Sequence, residues 1–116
     1  MPSSAKLDLL GHVGREPEMR YTGDGTAVTT FSLATNRKEK DELVTDWWGV
    51  VAFGKTAELV ADRVKKGSLV YASGRAQIRK YTTKEGVERT ATEVVANTVL
   101  VLSKTERGDG DDELPF

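Results

Sequence analysis

The chain has no cysteine and a single histidine, His12. The first absence removes disulfide frameworks, thiol nucleophiles and cysteine metal sites, and with them a redox role. The second leaves no histidine pair for a metal, and a lone histidine in the strand-like "LLGHVG" is far more often packed or solvated than catalytic. Walker loops and G-x-S-x-G elbows are missing too. "DGDD", Asp109 to Asp112, resembles part of a calcium loop but lacks the remaining ligand spacing. These absences argue against an enzyme and against a metal or cofactor. Long apolar runs are also lacking: Val50 to Phe53 and Val99 to Leu102 are far too short to cross a bilayer, and "MPSSAKLDLLG" contains no signal-peptide apolar block. A cytoplasmic protein with no membrane partner is the expectation.

What is present is the composition of one soluble domain: 116 residues, 38% hydrophobic and 30% charged. The net charge of −1 is unevenly spread. From Ser103 onward Lys104 and Arg107 face five acidic residues, which leaves residues 1–102 with 15 bases, 13 acids and a net charge of +2. A mildly basic body and an acidic tail hint at a polyanion partner for the body.

Most of the chain reads as strands punctuated by glycine turns. Leu7 to Val13 is an apolar run, "TGDGT" (Thr22 to Thr26) is a turn, and "AVTTFSLAT" (Ala27 to Thr35) is rich in β-branched residues. The charged segment Asn36 to Leu43 is expected to form an exposed hairpin loop before a strand over Val44 to Phe53. In "KTAELVADRVKKG", Ala57, Val60, Ala61 and Val64 make one apolar stripe at helical spacing, and Lys65, Lys66 and Gly67 suit its end. Strands resume over Ser68 to Thr83 and, after the turn Lys84 to Gly86, over Val87 to Leu102. Three strands, a short helix between the third and fourth, and further strands are the pattern of an OB-fold, an all-β five-stranded Greek-key barrel. The predicted division is therefore an OB domain over 1–102 and a disordered linker and acidic tip over 103–116.

Strand parity separates candidate core from candidate surface. Trp47, Gly49, Val51 and Phe53 share one face, and Trp48, Val50 and Ala52 share the other, so both tryptophans cannot enter one small core. Further on, Tyr71, Ser73, Arg75, Gln77, Arg79 and Tyr81 share a face, with Val70, Ala72, Gly74, Ala76 and Ile78 predicted inward. Aromatic rings interleaved with guanidinium groups are what single-stranded nucleic acid requires, because unpaired bases stack on the rings and phosphates meet the cations. On parity alone, Trp47, Phe53 and Tyr81 could equally be core rings and the arginines a solvated face.

At this point the sequence resembles a known family. "LLGHVGREPEMRYTGDGTAVTTFSLATNR" (Leu9 to Arg37) and "TDWWGVVAFGKTAELVADRVKKGSLVYASGRAQIRKYTTKEGVERTATEVVA" (Thr45 to Ala96) resemble the two halves of bacterial single-stranded DNA-binding proteins, most specifically in "VVAFGKTAE", "KKGSLVYASG" and "TEVVA". The closing "DDELPF" resembles the acidic tip that ends these proteins. The resemblance implies a non-enzymatic coat for single-stranded DNA in replication, recombination and repair, with little sequence preference. It places stacking rings at Trp47, Phe53 and Tyr81, and phosphate contacts at Lys6, Arg15, Arg20, Lys55, Arg75, Arg79 and Lys80. A tryptophan common in the family's loop has no counterpart in "NRKEKDE", which shifts weight to Arg37 and Lys38. The family forms homotetramers, with the first strand near the subunit contact, and Trp48 stands where a histidine often serves subunit association. The tip residues Asp111, Asp112, Glu113, Leu114, Pro115 and Phe116 are implied to recruit replication and repair proteins. Here only the eight residues "SKTERGDG" separate Leu102 from Asp111, a reach of about 26–29 Å when fully extended. So short a tether predicts that the tail competes with DNA for the basic groove. A related binding module acting on RNA, in a primosome or as a subunit contact is the alternative reading.

Overall fold

The computed structural model describes residues 3–102. Strand β1 (Lys6–Val13) is followed by the short β2 (Glu18–Tyr21), by the long hairpin of β3 (Ala27–Glu39) and β4 (Glu42–Phe53), by helix α1 (Gly54–Arg63), and by a second long hairpin of β5 (Leu69–Thr82) and β6 (Glu88–Val101). The sheet runs β1-β5-β6-β4-β3-β2, and β1 also pairs with β3. That last pairing, His12 with Ala34 and Val13 with Leu33, closes β1, β3, β4, β6 and β5 into a five-stranded barrel with β2 outside it. The β4–β6 contact is parallel and the other ladders are antiparallel. This is the OB-fold, with its helix between the third and fourth barrel strands.

Alternation builds the core. Ala27, Thr29, Phe31 and Leu33 of β3 point inward, as do Val50 and Ala52 of β4 and Val70 and Ala72 of β5. One end is closed by α1, whose Ala57 and Val60 are buried, while the buried Thr29 hydroxyl donates to the Ala57 carbonyl at 2.8 Å. That bond satisfies the one polar side chain β3 sends into the core and ties the helix to the barrel.

Several sequence expectations need correction. The helix stops at Arg63 rather than running to Gly67. Ser68 ends it: its hydroxyl accepts from the Lys65 N–H at 3.1 Å, and its own N–H donates to the Lys65 carbonyl at 3.0 Å, folding 65–68 into a turn. The expected loop over 36–43 is a regular ladder down to Glu39–Glu42, turned by Lys40 and Asp41, both at positive φ. Ile78, predicted inward, is 71% exposed. Beyond Ala76 the β5–β6 ladder continues through Thr82–Glu88 as an arm, where neither face has a barrel to enter. Strand β2, all of it exposed, pairs only with β3 and carries no apolar run that would announce it.

Candidate nucleic-acid interface

Parity puts Trp47, Gly49, Val51 and Phe53 on the outside of β4, because Val50 and Ala52 are fully buried. The two rings, six residues apart, are separated by about 20 Å of strand. Trp47 is 59% exposed, Phe53 47% and Tyr81, on the β5–β6 arm, 41%. This settles the open alternative: none of the three is a core ring. Trp48 turns the other way, half-buried against its own barrel, and its indole N–H donates to the Thr35 hydroxyl at 2.9 Å.

The exposed indole is seated by a missing side chain. A Cβ at Gly14 would lie 2.4 Å from the Trp47 ring, so glycine lets the indole pack against the chain after β1. The same logic holds at the floor between the rings, where a Cβ at Gly49 would press on Glu93 at 3.0 Å. A groove of about 560 Å³ opens there, walled by Arg15, Arg20, Thr30 and Ser32 on one side and by Gln77, Arg79 and Glu93 on the other.

The predicted cations do not form one set. Arg15, Arg20 and Arg79 line this groove, and Lys55 follows Phe53 at the start of α1. Lys6 and Arg75 are cross-strand partners on β1 and β5 and share a separate groove with Asn97. Lys80 lies on the arm beside Arg89. Arg37 and Lys38 stand on the β3–β4 arm. Among the described residues the ion pairs are Arg37 with Glu39 at 3.4 Å, Arg37 with Asp46 at 2.7 Å and Arg79 with Glu93 at 2.8 Å. The hydrogen bond that Arg37 donates to Asp46, together with that carboxylate's charge, raises the Arg37 pKa above its ordinary value. The tip residues 111–116 lie outside the described residues.

Sequence reasoning missed Gly14, Glu93 and the exposed ring of Tyr21 on β2. No local signal marks the first two, since each matters through a strand distant in sequence. The side wall of β1, β5 and β6 is different in kind. Leu10, Tyr71 and Leu100 lie in register across it, and both leucines are exposed. Beside them the Ser73 and Tyr71 hydroxyls donate to Asp8 and hold its carboxyl below the usual range. Among the described residues no cluster of three His, Cys, Asp or Glu is placed to hold a metal.

A closed five-stranded barrel with a capping helix, an outward row of rings and an arginine-walled groove defines an OB-fold protein with an aromatic and basic face. The profile of the single-strand binding protein family matches residues 5–102, and the chain belongs to that family. It is 41% identical over 110 residues to the single-stranded DNA-binding protein of Neisseria meningitidis serogroup A, covering 90% of this chain and 63% of that one. It is also 41% identical to single-stranded DNA-binding protein 1 of Xylella fastidiosa, covering 91% of this chain and 82% of the relative. Among solved structures, a Plasmodium falciparum SSB in complex with ssDNA superposes with a TM-score of 0.78 at 31% identity, over 89% of this chain and 98% of the other.

Proposed function

We propose that this protein binds single-stranded DNA with little sequence preference, as a non-catalytic coat acting in replication, recombination and repair. One observation carries the reading: the rings of Trp47, Phe53 and Tyr81 are exposed, and the outward face of β4 that holds the first two also supplies Gly49 and Val51 to a groove lined by Arg15, Arg20 and Arg79. Stacking accepts any base because every base has a π-face, and cations between the rings meet the phosphates. Family membership and the neighbour solved with ssDNA support it. The chain spans 63% of the Neisseria relative's length, so the roles of the whole protein belong to this proposal.

Titration with oligo-dT tests it through tryptophan emission. Trp47 should be quenched on binding, and log K should fall with log salt at about 0.7 per phosphate contacted. Absence of quenching, or equal binding to duplex DNA or RNA of the same length, overturns the reading.

Two further parts complete it. The chain assembles as a homotetramer, a reading supported by the Leu10–Tyr71–Leu100 row with its two exposed leucines, since contiguous apolar surface marks interaction sites. Mass measurement in solution with and without oligo-dT decides it. The tip Asp111–Phe116 recruits replication and repair proteins, its acidic residues and the apolar Leu114, Pro115 and Phe116 suiting an apolar pocket rimmed by basic residues. Deleting Phe116 should abolish recruitment and spare DNA binding. The short tether makes the tail a competitor for the groove, so deleting 109–116 should tighten DNA binding at low salt.

A further inference from the structure

Arg79 lines the groove, yet its guanidinium is already paired with a carboxylate. Glu93 stands in the groove wall with only 6% of its surface exposed. Its two carboxylate oxygens are both engaged: Gln77 Nε2 donates to Oε1 at 3.0 Å and Arg79 Nε donates to Oε2 at 2.8 Å. The room for it comes from Gly49, its register partner on the parallel strand β4, where any Cβ would crowd the Glu93 side chain. The Arg79 guanidinium in turn sits 5.5 Å from the centre of the Tyr81 ring. Glu93, Arg79 and Tyr81 thus form a chain from a buried carboxylate to an exposed ring.

A carboxylate this deeply buried is costly to leave without its cation. A phosphate competing for Arg79 would also set a second anion beside the first. Cations such as Arg15 and Arg20 carry no such burden, having no ion pair among the described residues. We propose that Glu93 is a positioning residue of the DNA-binding face, one that withholds Arg79 from the DNA backbone and keeps its guanidinium as a brace on Tyr81. The proposal rests on the single-stranded DNA reading above. It reassigns Arg79 from phosphate ligand to scaffold and makes the grip of the groove weaker, and less salt-dependent, than its arginine content implies.

The test is a salt series of full-chain binding to oligo-dT for wild type, Glu93→Gln and Arg79→Gln/Glu93→Gln. Glutamine keeps the shape and the acceptor for Gln77 but releases Arg79. Glu93→Gln should bind more tightly at low salt, and its log–log salt slope should be steeper by about 0.7, the share of one phosphate on a single strand. Over a tenfold change in salt that is about a fivefold larger loss of affinity than wild type shows. At high salt, where the freed charge is screened and the brace on Tyr81 is gone, the variant should fall below wild type. The double variant buries no charge, so it remains a test even if the single one folds poorly. Its slope should equal that of wild type, since Arg79 contributes nothing to the wild-type slope. An unchanged slope in Glu93→Gln, or a shallower slope in the double variant, overturns the proposal. Failure of the wild type itself to bind oligo-dT would instead remove the single-stranded DNA reading, and the proposal with it.

Discussion

The two hairpin arms are built alike and equipped differently. Both continue a barrel ladder outward, β3–β4 to Glu39 and Glu42, β5–β6 to Thr82 and Glu88. The β5–β6 arm carries Tyr81 and ends in a relaxed turn, with Gly86 at positive φ and the Thr83 hydroxyl accepting from the Val87 N–H at 3.2 Å. The β3–β4 arm beyond Asp46 has no ring, turns through Lys40 and Asp41 without glycine, and has its arginine held by Asp46 and Glu39. Each arm commits one arginine to a carboxylate, but only Arg79 serves a ring by doing so. A cation on a binding face is therefore not a unit of affinity until its own partners are counted.

Removing the rings should break the comparison most. Trp47→Ala, on the barrel between the arms, should cost about 1–3 kcal/mol of oligo-dT binding, and Tyr81→Ala should fall in the same range, while thermal melting barely moves. The counterpart is to equip the bare arm. Leu43, exposed opposite Lys38, offers the position, and Leu43→Trp should gain about 1 kcal/mol of binding with a new quenched emission component. Replacing the turn by Asn-Gly, Lys40→Asn with Asp41→Gly, should relieve two positive-φ residues and raise stability by about 1 kcal/mol in urea denaturation, leaving DNA affinity unchanged. The smallest effect belongs to Asp46→Asn: it loosens an exposed arginine that Glu39 still holds at 3.4 Å, so the salt slope should steepen by less than about 0.7, read as in the oligo-dT series.

Acid should act on the opposite wall. Asp8 is held below its ordinary pKa by the Ser73 and Tyr71 hydroxyls, so its contribution is present above the unfolded value of about 3.9 and lost as pH falls through the lower folded value. Asp8→Asn should flatten stability across that acid range in a pH series of melts.

The OB pattern was legible because glycine turns and one helical stripe divide the chain into the right segments. The exposed rings were half legible. Alternation guaranteed that Trp47 and Trp48 part company, and it grouped Trp47 with Phe53, but not which group enters the barrel. Alternation alone sends Ile78 inward, because it carries on unchanged where β5 leaves the barrel, and only the shape of the sheet shows that nothing remains to bury it.

By itself, then, the sequence determined the side-chain parity of each strand, the turns at "TGDGT" and "KEG", and the aromatic residues available for stacking. These follow from the geometry of a single extended chain, which every strand obeys whatever it pairs with. Only the tertiary structure decided the rest: that Val50 faces in and Trp47 out, that Gly14 seats the indole, and that Glu93 holds Arg79 while Asp46 holds Arg37. Those outcomes depend on the register between strands and on barrel closure, where residues distant in the chain meet and compete for the same charge.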